Sequence, residues 1–243
     1  MTIYPHKVAL VFGGSRGIGA ATVMRLAKDG FKVAFTFATR EDKAADVAAD
    51  VGAAGGEAFA IKADSADHEQ ILAAVEQVVA RFGRIDVLVV NAGIFALGTI
   101  ESVPVDQLNR MLDVNVRGVF LAIQAAVPHL NDGGRVVTIG SNVAIRTGTP
   151  GASVYQFTKA ALAAMVKGVA LDLAPRAITV NNIQPGPTDT DINVGALEAL
   201  AGMSPLKRVA QPSEIAGLIA YVASEEAGYV TGTSLTIDGG FTL

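Results

Sequence analysis

Val8-Ala9-Leu10-Val11-Phe12 is a continuous apolar run that stops at a glycine loop, Gly13-Gly14-Ser15-Arg16-Gly17-Ile18-Gly19, and residues 17 to 29 beyond it read as a helix. A run that is apolar at every position has no solvent face, so it predicts a parallel strand covered on both sides. Residues 32 to 37 predict a second strand and complete a β-α-β unit. The alternation then continues to the end of the chain. Strands are expected at 58 to 61, 87 to 90, 135 to 139, near 178 to 181, and at 234 to 237. Helices are expected near 41 to 52, 66 to 82, 105 to 129, 152 to 173 and 212 to 224, with a loop-helix segment running to 205. Seven strands interleaved with helices predict an α/β fold with a doubly wound parallel sheet and ligand sites at the carboxyl ends of its strands.

At 243 residues and 51% hydrophobic, the chain suits one α/β domain. The glycine-rich stretch 52 to 56 is short enough to be a loop, no linker is visible, and no internal repeat stands out. The net charge of −4 and the scattered basic residues exclude an electrostatic footprint for nucleic acid or an anionic membrane. The absence of cysteine removes disulfides and thiolate metal sites and suits the cytoplasm. Residues 1 to 7 lack the apolar segment of a signal peptide, and no apolar run is expected to span a bilayer. His6, His68 and His129 have no metal-ligand spacing, so no metal is predicted. Asp189 and Asp191 read as solvated or capping residues.

Two features carry chemistry. A glycine turn between a strand and a helix lets backbone approach a pyrophosphate, and the helix N-terminus offers free amides and a positive dipole end. Tyr155 and Lys159, four apart on a predicted helix, share one face, so an ammonium can sit beside a phenol. Gly13, Gly17 and Gly19 follow G-x-x-x-G-x-G, which differs from the commoner dinucleotide fingerprint. With this loop, Asp64, Asn91-Ala92-Gly93, Asn115, Ser141, Tyr155 with Lys159, Pro185-Gly186 and Asp238-Gly239-Gly240, the chain resembles the short-chain dehydrogenase/reductase family over nearly its whole length. The likeness extends to bacterial 3-oxoacyl-ACP reductase-like ketoreductases.

That resemblance implies a single Rossmann-type domain over 1–243, with a cofactor half to about residue 100 and a catalytic and substrate half beyond it. It implies an NADP(H)- or NAD(H)-dependent oxidoreductase. Gly13, Ser15, Gly17, Ile18 and Gly19 would cradle phosphate. Asp64, with Ser65 beside it, would accept from the adenine amino group, the other reading being a helix cap near Asp67. Asn91, Ala92 and Gly93 would pass the riboses, and Pro185, Gly186, Thr188 and Thr190 would hold the carboxamide and a neighbouring phosphate, Thr188 through its backbone. Phe12 and Val90 replace the threonine and asparagine usual at those positions, so packing is expected to replace a polar tie. At the end of the second strand Thr36, Phe37 and Ala38 offer no carboxylate for NAD ribose hydroxyls. Arg16 and Arg40 are placed where guanidinium groups grip phosphate, which favours NADP(H), although both also read as surface charges.

Reduction of a carbonyl needs a proton for the oxygen. Tyr155 is the expected donor, with the Lys159 ammonium and the positive nicotinamide of the oxidised cofactor both expected to pull the phenol pKa down from its ordinary value near ~10. Ser141 is placed to hydrogen-bond the substrate oxygen, one residue further from Tyr155 than in many relatives, where the shorter spacing would land on Asn142. The resemblance implies that Lys159 also bonds the nicotinamide ribose, and that Asn115 holds a water near Lys159 or, alternatively, is a core asparagine. Phe95, Val143 and Ile145, with a lid from Asp191 to Ser204, are expected to line an apolar pocket for a small-molecule ketone. A 3-oxoacyl-ACP reductase is the alternative: Arg176 is its candidate docking cation, while Asn131-Asp132 stands where such enzymes are basic. Some bacterial relatives with a similar loop are linked to cyclic-dinucleotide binding and biofilm dispersal. Relatives pair the two long helices between subunits, which implies a homotetramer or at least a dimer.

Overall fold

The computed structural model describes residues 7–243; His6 lies outside them. The elements run β1 Val8–Phe12, α1 Gly17–Lys28, β2 Lys32–Phe37, α2 Glu41–Ala53, β3 Glu57–Lys62, α3 His68–Phe82 and β4 Ile85–Val90. There follow α4 Val105–Leu112, α5 Gly118–Ala126, β5 Leu130–Ile139, α6 Ser153–Leu173, β6 Thr179–Pro185, α7 Leu197–Met203, α8 Pro212–Ala223 and β7 Ser234–Ile237. All seven strands pair in parallel in the order β3-β2-β1-β4-β5-β6-β7. The chain therefore winds outward from β1 one way and then, from β4, the other. A crevice opens where the direction reverses, beyond the carboxyl ends of β1 and β4.

The all-apolar strands divide their side chains between two cores. Val8, Leu10 and Phe12 face the same layer as Leu88, Val90, Val136 and the inner sides of α3, α5 and α6. Ala9 and Val11 face the other, with Val87, Val89, Val137, α1, α2 and α8. Period-two alternation splits one hydrophobic run into two buried faces. Phe12 and Val90 lie directly opposite each other in the β1–β4 register and are 0% and 2% exposed, so packing does fill the place of a polar tie.

Three boundaries differ from expectation, each for a local reason. The helix expected from 66 begins at His68 because Asp67 is its cap, in extended conformation and accepting from the Glu69 and Gln70 amides. β5 starts at Leu130 rather than 135, since Leu130 pairs with Ile85 and residues 131 to 134 loop out before Arg135 pairs with Val87. The helix expected over 105 to 129 is interrupted by a π turn at Asp113–Arg117, where the Gly118 amide reaches back to the Asp113 carbonyl. By length and composition alone the stretch Val105–His129 is apolar enough to cross a membrane. In the fold its buried side packs against α3 and the sheet, as a core helix does.

Candidate active site

The crevice is lined by the glycine loop, the end of β2, residues 63 to 65, the end of β4 and the start of the lid. Gly13 has φ +77° and would place a Cβ 2.8 Å from the Ala92 Cα, so the loop lies flat against the end of β4 only without a side chain there. A Cβ on Gly19 would sit 1.9 Å from the Gly13 carbonyl oxygen. The loop is tied by hydrogen bonds from the Gly13 amide to Thr36 Oγ1 (3.0 Å) and from Asn91 Nδ2 to the Gly13 carbonyl (2.7 Å). Thr36 and Asn91 thus brace the cradle through their side chains. No side chain caps the start of α1 and its first turn has no acidic residue, so its amides face the crevice with their positive dipole end unneutralised. This cradle fits the pyrophosphate of a dinucleotide.

Of the residues expected to hold cofactor, Gly13, Ser15, Arg16, Gly17, Ile18, Thr36, Arg40, Asp64, Ser65, Asn91, Ala92, Gly93 and Thr190 line this crevice. Thr188 is buried, its hydroxyl donating to the Gly186 carbonyl and its own carbonyl accepting from Asn193 Nδ2. Gly186 lies against Asp238, a Cβ there falling 2.6 Å from that side chain, which gives the Pro185-Gly186 corner a packing reason of its own. Asp64 is not the cap of α3. Its carboxylate accepts from Arg110 Nη2 at 3.1 and 2.9 Å and from the Ala66 amide. Arg110, on α4, lines the crevice too and was invisible in the sequence, where its only mark is a helical arginine 46 residues from its partner.

The two arginines expected to meet phosphate are both paired. Arg40 makes a two-point contact with Asp42 (2.9 and 2.7 Å), and this hydrogen bond, ahead of the charge attraction, raises its pKa. Arg16 Nη1 reaches 3.1 Å to Asp191 of the lid. Asp191 is thereby a solvated residue that lines the crevice and has a partner there.

Beyond the crevice, β5 ends in Ser141 and α6 presents Tyr155 and Lys159. The Ser141 hydroxyl neighbours Tyr155 and accepts from the Val143 amide at 3.3 Å. Asn142 turns away, toward Asp238. The geometry thus favours Ser141 over the residue that the shorter spacing would select. Lys159 is 4% exposed, with Nζ donating to the Ile139 carbonyl at 2.8 Å and lying 5.7 Å from the centre of the Tyr155 ring. The expected lowering of the tyrosine pKa by lysine is corrected here. Burial disfavours both charged forms, pushing Tyr155 up to about 12, with the Ser141 hydrogen bond pulling the other way, and Lys159 down to about 8.

Asn115 sits in the π turn and is fully buried. Its side chain accepts from the Ile94 amide and donates to the Ile94 carbonyl, both at 2.8 Å, and donates to Thr158 Oγ1 at 3.2 Å. Thr158 in turn donates to the Tyr155 carbonyl. One asparagine therefore fixes the segment after β4 to the helix that carries the phenol. A Cβ on Gly93 would lie 3.3 Å from Lys159 Nζ, so crevice and lysine adjoin.

The Phe95 ring meets Tyr155 edge-on, 4.9 Å between centres. Ile145 and Ile192 are exposed, and Val143 is half-buried. Arg176 is far from this mouth in function as well as place: its guanidinium wraps the Val127 and Leu130 carbonyls and Asp132 at the amino end of β5. Among the described residues, His68 and His129 are exposed and no group of three or more metal-binding side chains occurs.

Residues 13–242 match the family described as enoyl-(acyl carrier protein) reductase. The chain is 40% identical over 244 residues to the cyclic-di-GMP-binding biofilm dispersal mediator protein of Escherichia coli strain K12, covering 99% of each. Among solved structures, a short-chain dehydrogenase/reductase from Serratia marcescens superposes with a TM-score of 0.96 at 53% identity, covering 98% of this chain and 99% of that one. A short chain dehydrogenase from Burkholderia cenocepacia, crystallised with NADP, gives 0.95 at 45% identity, again covering 98% and 99%.

Proposed function

Since the chain belongs to the short-chain dehydrogenase/reductase family, we propose that it is an NADPH-dependent reductase of small apolar ketones, with Tyr155 as proton donor. The observation that carries this reading is the juxtaposition of Tyr155 with Ser141, buried Lys159 and Phe95 beside the glycine-loop crevice. Bound in the cradle, NADPH would supply the hydride. The glycine loop and the start of α1 would hold its pyrophosphate, Arg16 its 2′-phosphate, and Asp64 its adenine edge.

The remaining work falls to this chain's own side chains. Ser141 Oγ and the phenol converge on the carbonyl oxygen, orient it, and stabilise the charge that develops there. A phenol pushed up to about 12 keeps its proton at neutral pH, and it is still a stronger acid than the alcohol being formed. Proton transfer from Tyr155 to the alkoxide therefore runs downhill. Phe95, Val143, Ile145 and the lid exclude water and select the hydride face by bulk.

The reading is tested with aryl ketones, 3-oxo esters, 3-oxoacyl thioesters and carrier-linked thioesters, each with NADPH and NADH, scored by rate and product chirality. Free ketones should turn over with NADPH. Turnover of carrier-linked substrates alone would replace the reading with a 3-oxoacyl-ACP reductase. Tight cyclic-di-GMP binding without any turnover would replace it with the role that the E. coli relative's name gives.

The exposed rings of Phe120 on α5 and Phe157 on α6, with Leu171, support a dimer or tetramer formed through these helices. Light scattering should show one, and a stable monomer would refute it.

A further inference from the structure

Arg16 and Asp191 lie on opposite walls of the crevice. Arg16 belongs to the glycine loop beneath α1, whereas Asp191 opens the lid segment beyond β6, and their side chains meet at 3.1 Å. The backbone walls adjoin there, a Cβ on Gly17 falling 3.1 Å from the Thr190 methyl. Arg40, by contrast, takes its partner Asp42 from the first turn of the helix it precedes, so its ion pair stays within one wall. Both members of the Arg16–Asp191 pair are more than half exposed. Such a pair is weak and yields to a stronger anion.

Resting on the NADPH reading above, we propose that Asp191 is a specificity-determining residue that competes with the cofactor's 2′-phosphate for Arg16. A dinucleotide carrying that phosphate must displace the Asp191 carboxylate before the guanidinium can fork onto it. A dinucleotide without the phosphate leaves the pair intact. Asp191 therefore works against NADPH alone, and phosphate binding frees the start of the lid from the glycine loop. The charge of Asp191 also reaches Arg40, whose pKa is raised first by Asp42 and then, more weakly, by Asp191. The carboxylate thus stands near both phosphate-directed arginines.

The test is titration of the full chain with 2′,5′-ADP, 5′-AMP, NADPH and NADH in the unchanged protein, Asp191→Asn, Arg16→Ala and the double variant, at low and high salt. Asp191→Asn should bind 2′,5′-ADP and NADPH about two- to fivefold tighter, with 5′-AMP and NADH unchanged. The gain should shrink in high salt and vanish when Arg16 is already alanine. Unchanged or weaker NADPH binding in Asp191→Asn, or equal tightening of both cofactors, overturns the proposal. If Arg16→Ala nevertheless weakens NADPH selectively, only the competition fails. If the unchanged protein shows no preference for the phosphorylated ligands and Arg16→Ala alters nothing, the NADPH reading fails with it.

Discussion

The two ends of the crevice handle charge in opposite ways. At the phosphate end Arg16, Arg40 and Arg110 are half-exposed and each meets an aspartate, Asp191, Asp42 or Asp64. Water screens these pairs, so exchanging a carboxylate for a phosphate costs little. At the catalytic end Lys159 is sealed from water and Tyr155 is half-buried, and the loss of water pushes both toward their neutral forms. An exposed pair can change partners and so suits recognition. A buried group holds a displaced pKa and so suits proton transfer.

A large effect that sharpens this contrast is at Lys159. Lys159→Met should cut turnover by about 10²-fold while raising stability at pH 7. The sign follows from its depressed pKa, down to about 8 in the fold against ~10.4 when unfolded. The cost of burying the lysine, on the order of 3 kcal/mol, is fully present below about pH 8 and disappears as pH rises toward ~10.4. Losing the bond to the Ile139 carbonyl offsets part of the gain, leaving about 1–2 kcal/mol. Thermal melts of both proteins from pH 7 to 10 check this; an advantage that grows with pH would contradict it. The smallest effect lies at the other end. Arg40→Ala should weaken NADPH by about threefold or less, because Asp42 already satisfies it. A loss of about a hundredfold would move the phosphate seat to Arg40.

The sheet was legible in the sequence because apolar runs such as Val8–Phe12 and residues 87 to 90 have no solvent face and recur between helical stretches, as buried parallel strands do. The loop, Ser141, Tyr155 and Lys159 were legible because each sits at the carboxyl end of a strand or on a fixed helical spacing. What escaped is long-range pairing. Nothing local announces that Arg110 meets Asp64 or that Asp191 meets Arg16, since neither pair shares an element. The π turn escaped for a related reason: a Cβ on Gly118 would fall 1.9 Å from the Ser65 carbonyl oxygen, a constraint imposed from another loop. The sign of the tyrosine shift was misjudged because sequence places a lysine near the phenol and says nothing of how dry the site is.

The most direct test of the account is Tyr155→Phe, measured for NADPH affinity by fluorescence titration and for hydride transfer to a ketone in a single turnover. The ring and its edge-on contact with Phe95 remain, so affinity should stay within about twofold while transfer falls by about 10²–10⁴-fold. Transfer at near the unchanged rate, with affinity intact, would remove Tyr155 as the proton donor and with it the division of labour between the two ends of the crevice.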